Sequence, residues 1–223
     1  MSELDLEKKY RSSPLESTAF LIAQIAILSS LVAFLKILTI PMPIPLGSID
    51  ASSVLIFAIA ILYGPSFATP VICIGQFVGL LYLTALLGFP AVFIPGIVAV
   101  RGAEAFIVGK LRHKNGNSRK WEIFAMVIGV LWETGAFVLA DTYLFGPGFG
   151  VIVAFTIIDA IWIIPAIGVI AALRKIFEAK YFDDYFGFAD DEQLKKKLLY
   201  PSIAAIIISW ILIILAPLAG ILL

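Results

Sequence analysis

The chain has 223 residues, 61% of them hydrophobic, with a mean hydropathy of +1.03. That is far above the range of soluble domains and identifies an integral membrane protein. A formal net charge of zero gives no electrostatic reason to expect a nucleic-acid or strongly acidic partner.

At roughly 20 residues per crossing, the length suits one bundle of six or seven helices. The opening MSELDLEKKYRSSP is polar and mixed in charge, without the short apolar core and cleavage site of a removed leader. Residues 1–14 are therefore expected to form a cytoplasmic tail. The single cysteine, Cys73, lies in an apolar run and allows no intramolecular disulfide.

Taken in order, span one covers about Leu15 to Leu38 after the Ser13-Pro14 start signal. Ala19, Ala23, Ala26 and Ser30 recur every three or four positions and make one smooth face, of the kind that lets membrane helices approach closely. Lys36, at the far end, is expected to snorkel to the headgroups. Thr39 to Asp50, TIPMPIPLGSID, contains three prolines and a glycine, which forbid a helix and favour extended chain. Its apolar residues Ile40, Met42, Ile44 and Leu46 suit a lid folded over the bundle, the alternative being a stiff connector.

Span two, about Ala51 to Tyr63, is short and ends at Gly64-Pro65. Span three runs from Ser66 to Leu87 with Gln76 near its middle. Span four lies in Pro90 to Arg112, an apolar stretch holding Arg101 and Glu104, which share a helix face. Span five, Trp121 to Phe145, carries Trp132, Glu133, Asp141 and Tyr143. Span six, Phe149 to Leu173, carries Thr156, Asp159 and Trp162 at three-residue spacing, with a kink expected at Pro165.

Residues 174–199 are polar. Phe177, Tyr181 and Tyr185 recur every fourth position there, as on an amphipathic interfacial helix. Residues 200–223 form a seventh span.

Of the sixteen Lys and Arg, fourteen fall in the N-terminal tail, at the span four–five loop or in the 174–197 segment. Seven alternating spans put all three on one side. The positive-inside rule makes that side cytoplasmic and puts the C-terminus outside.

A charge near the bilayer centre costs about 2.5–3.5 kcal/mol or more, so it normally faces a partner or a cavity. At about 1.5 Å per residue, Arg101, Glu133 and Asp159 lie at compatible depths. Arg101 is thus expected to pair with Glu133 or Asp159. With Glu104, three carboxylates meet one guanidinium, a surplus that favours a cationic or donor-rich ligand unless a carboxyl takes up a proton. Trp132, Trp162 and Tyr143 are placed to stack a flat ring. The candidate solute site is Gln76, Arg101, Glu104, Trp132, Glu133, Asp141, Asp159 and Trp162. No HExxH, GxSxG, Walker A or CxxC motif occurs, and the one histidine, His113, lies in a loop. No catalytic residue, metal site or cofactor is expected.

Several features together resemble the substrate-binding (S) component of an energy-coupling-factor (ECF) vitamin transporter. They are the Ala19-x-x-x-Ala23 face, the Pro-rich Thr39–Ile49 loop, and Asp50-Ala51-Ser52-Ser53 opening a short helix. The Leu62-Tyr63-Gly64-Pro65 turn, and the Pro95-Gly96 to Gly109-Lys110-Leu111 span with its basic loop, complete the set.

The resemblance covers about residues 15–175 and implies an all-α, six-helix membrane core (15–173), here with a seventh helix added. It further implies a vitamin-like substrate bound from outside under the loop after span one. The partners would be a transmembrane coupling subunit meeting Ala19, Ala23 and Ala26, and two separate ATPase subunits. Two other classes stay open: an assembly protein whose buried charges only lock helices together, and a stand-alone carrier in which Glu104, Glu133 or Asp159 moves a coupling proton.

Overall fold

The computed structural model describes residues 18–41, 48–112, 118–148, 150, 154–176 and 195–215. Met42, Ile44, Leu46, His113, Phe177, Tyr181 and Tyr185 lie outside the described residues.

The chain is a helical bundle. Its helices are α1 (Thr18–Ile37), α2 (Ser52–Tyr63), α3 (Pro65–Leu87), α4 (Ile94–Leu111), α5 (Arg119–Phe145), α6 (Ile163–Ile176) and α7 (Tyr200–Leu215). A 3₁₀ helix, Ala154–Trp162, runs into α6, and a π turn, Lys195–Leu199, runs into α7. Between α1 and α2 stands a small antiparallel ribbon, β1 (Thr39–Pro41) and β2 (Ser48–Asp50), with Thr39 opposite Asp50. Pro41, the last residue of β1, has a φ fixed in the range of extended chain.

Among the described residues, six helical stretches are long and apolar enough to cross a membrane. The exterior is apolar, with Leu139 72% and Ile164 76% exposed, as lipid contact requires. The second of the seven helices is short, as its sequence predicts. α2 has 12 residues, about 18 Å, against a hydrocarbon core of about 30 Å. It runs through the middle of the bundle, packed against α4, α6 and α3, and Ile56, Phe57, Ala60 and Ile61 are fully enclosed.

Close approach of α1 and α3 depends on Gly75 and Gly79, one turn apart on α3. A Cβ on Gly75 would stand 2.7 Å from Val32 Cβ and 2.8 Å from the Ser29 carbonyl oxygen. Ser29 Oγ donates to the Val71 carbonyl across the same seam (3.1 Å). Small residues at four-residue spacing bring membrane helices into backbone contact in this way. α7 packs mainly on α4, with Ile206 and Cys73 both against Gly102.

The expected kink at Pro165 takes the form of a change of pitch. Pro165 has no N–H for the Ile161 carbonyl, so a regular α ladder cannot run through this point. The chain is 3₁₀ up to Trp162 and α-helical from Ile163.

Candidate functional site

Arg101 is the hub. Its position on α4 is 3% exposed, and its guanidinium meets carboxylates from three other elements as well as its own. Nη1 lies 2.6 Å from Glu133 Oε2 on α5 and 3.1 Å from Glu104 Oε2. Nη2 lies 2.8 Å from Asp159 Oδ2 on the 3₁₀ helix and 3.7 Å from Asp50 Oδ2 at the end of β2. The pairing with Glu133 or Asp159 is therefore a pairing with both. In a 3₁₀ helix, residues three apart eclipse one another, which lines up Thr156, Asp159 and Trp162.

Two members of the cluster are not evident from the sequence. Lys36 does not snorkel outward: it is 7% exposed, and its Nζ contacts Asp50 Oδ2 at 2.7 Å. The ribbon carries Asp50 back to the end of α1, so a neutralising carboxylate stands beside Lys36.

Asp50 also accepts the Ser52 amide (3.0 Å) and the Ser52 hydroxyl at the head of α2, where a negative charge is favoured. Burial alone would raise the Asp50 pKa, but Lys36 and Arg101 outweigh it and hold the value at about 2. Its ionic contribution to stability is therefore complete above 3.8, the ordinary value, and is lost as pH falls through about 2. Asp50→Asn is expected to lower the unfolding temperature by an amount that stays constant from neutral pH down to about pH 5. That gap should then shrink with further acidification, and a gap that widens in acid would contradict the assignment.

Gln76 on α3 is fully buried. Its Nε2 donates to Ser52 Oγ at 2.8 Å, tying α3 to Asp50 through the Ser52 hydroxyl. Several buried polar atoms here have no hydrogen-bond partner: Arg101 Nε, Glu104 Oε1, both Glu133 oxygens and Gln76 Oε1. Glu133 Oε2 is close enough to Arg101 for charge attraction, yet no donor points at it.

The remaining candidates fall differently. Trp132 is half-buried and tied through its ring nitrogen. Its indole N–H donates to the Val100 carbonyl (3.1 Å), bracing α5 on α4 beside Arg101. Tyr143 donates to the Ile214 carbonyl (3.0 Å) and ties α5 to α7. Asp141 is half-buried and forms no ion pair among the described residues. It lies eight residues beyond Glu133, about 12 Å along α5. Trp162 is half-buried against the core, with its indole N–H unpartnered. Ile40 stands in β1, on the ribbon strand paired with β2.

At the other end of α4, Arg112 Nη1 donates to the Ile61 and Leu62 carbonyls (both 2.7 Å), and Arg174 holds Glu122 (3.0 Å). The two Arg112 bonds satisfy carbonyls in the last turn of α2. The alanine face of α1 is turned outward: Ala19, Ala23, Ala26 and Ser30 are all exposed with α7 in place.

Buried charges inside a multi-pass helical protein mark this cluster as its candidate solute site. The family model for "ECF-type riboflavin transporter, S component" matches residues 17–177, and the chain belongs to that family. No curated protein and no solved structure matches the sequence. The match ends before α7.

Proposed function

We propose that this chain binds a vitamin-like solute in the membrane and delivers it inward with a separate coupling subunit and two ATPase subunits. The observation that carries the reading is the set of unpartnered polar atoms around Arg101. A cluster that served only to lock helices would be expected to satisfy its own hydrogen bonds, since each unmet buried group costs about 1–3 kcal/mol. A solute with several polar groups supplies the missing partners. Riboflavin, named by the matched family, is the first solute to test.

In this reading Arg101, Glu104, Glu133, Asp159 and Gln76 contact the solute, and Asp50 and Lys36 hold the ribbon over it. The N-terminus and the basic loops are cytoplasmic, and the ribbon faces outward. The exposed Ala19, Ala23 and Ala26 receive the coupling subunit.

Ala23→Trp is expected to leave unfolding stability within about 0.5 kcal/mol, because the site is exposed. It should also leave solute binding unchanged while abolishing co-purification with the coupling module and uptake in proteoliposomes. Loss of binding in Ala23→Trp, or uptake at the wild-type rate, would count against this assignment.

The second reading, a structural lock, is favoured by the four carboxylates converging on one guanidinium. It requires that the purified protein neither carry nor bind a solute.

A further inference from the structure

The cluster is unbalanced in formal charge. Among the described residues, Asp50, Glu104, Glu133 and Asp159 face only Lys36 and Arg101. Its hydrogen bonding is unbalanced in the same direction. The Lys36 ammonium and both terminal nitrogens of Arg101 are engaged, which leaves Arg101 Nε as the one donor of these two groups without an acceptor. Glu104 Oε1 and Glu133 Oε1, by contrast, have no donor, and Glu133 Oε2 has only the charge contact with Arg101 Nη1 (2.6 Å).

Gln76 adds an independent sign, because it is uncharged and comes from α3, which supplies none of the carboxylates. Its amide is anchored through Nε2 to Ser52, which leaves Oε1, fully buried, as one more acceptor without a donor. Glu133 is 1% exposed, with Oε1 unpartnered and Oε2 held only by its charge contact with Arg101 Nη1. Groups that would complete this site are N–H and O–H donors, on a neutral or cationic molecule. A carboxylate or phosphate would bring another anion into a water-poor place already rich in them, and like charges set together are strongly disfavoured.

Building on the binding-subunit reading, we propose that Glu133 sets the charge preference of the site. It accepts a donor group of the solute and bars molecules that carry a carboxylate or phosphate. Discrimination by a built-in repulsive group is a general route to specificity.

The test uses the full chain in detergent and compares each of two vitamins with its own phosphate ester. The pairs are riboflavin with flavin mononucleotide, and thiamine with thiamine monophosphate, followed by calorimetry and thermal shift. Whichever parent binds, its ester is expected to bind at least about tenfold more weakly. Glu133→Gln, which keeps the shape and removes the charge, should narrow that ratio, an effect that loss of packing alone would not produce. Glu104→Gln serves in its place if the first variant does not fold.

An ester that binds as tightly as its parent, or a ratio that both variants leave unchanged, overturns the proposal while the binding-subunit reading stands. A solute that co-purifies counts by its charge, an anion against the proposal and a cation or neutral donor for it. If no probe binds and no solute co-purifies, the binding-subunit reading has failed and this proposal falls with it.

Discussion

Arg101→Ala is expected to be the most damaging single substitution in the chain. Removing one partner of a buried ion pair costs about 3–5 kcal/mol, because the remaining charge has no water to turn to. Here Glu104, Glu133 and Asp159 all lie within 3.1 Å of the guanidinium, and Asp50 within 3.7 Å. A loss of that size would consume a large part of the stability of an ordinary domain, so little folded protein should accumulate. Arg101→Lys should not rescue it. An ammonium is a point donor and cannot reproduce a planar fork that reaches Glu133 and Glu104 through one nitrogen and Asp159 through the other. Glu104→Ala should be much milder, because it removes one carboxylate from a cluster with more anions than cations. Thermal unfolding in detergent measures the order, and equal shifts for Arg101→Ala and Glu104→Ala would contradict the hub role of Arg101.

The second large effect is expected at Gly75. Any side chain there meets Val32 Cβ and the Ser29 carbonyl oxygen at under 3 Å, and the carbonyl is backbone that cannot rotate away. Gly75→Ala should cost about 1–3 kcal/mol by overpacking. Gly75→Leu should push α1 off α3 and break the bond from Ser29 Oγ to the Val71 carbonyl. α1 carries Lys36 at one end and the alanine face along its outer side, so the Leu variant should lose solute binding and coupling together. A disulfide placed across the α1–α3 seam would report the displacement. Cross-linking at the wild-type rate in Gly75→Leu would show that the two helices do not depend on this contact.

How much of this was legible in the sequence varies by residue for physical reasons. Arg101, Glu104, Glu133 and Asp159 stand out because ionisable groups inside apolar runs are costly, and their depths follow from the helical rise. Lys36 and Asp50 lie at the ends of elements, where a charge ordinarily reaches water. Only the ribbon, pairing Thr39 with Asp50, brings them together. Gly75-x-x-x-Gly79 is the signal that points to the α1–α3 seam, since small residues at that spacing mark close helix contact. The role of Trp132 was not legible, because its partner is a backbone carbonyl 32 positions away. The brevity of α2 is written in its flanks: Asp50 hydrogen-bonds the Ser52 amide at its start, and Gly64-Pro65 closes it. Its burial on all sides is a property of the assembled bundle.

The central claim is that the Arg101 cluster holds a small molecule. Mass spectrometry of the compounds released by denaturing protein purified in mild detergent tests it most directly. The expected result is a stoichiometric vitamin-like solute, neutral or cationic and bearing N–H or O–H donors. The released amount should fall sharply in Glu133→Gln. Protein that releases nothing, and gains no thermal stability from a panel of vitamins, would contradict the claim and identify the cluster as a lock between helices.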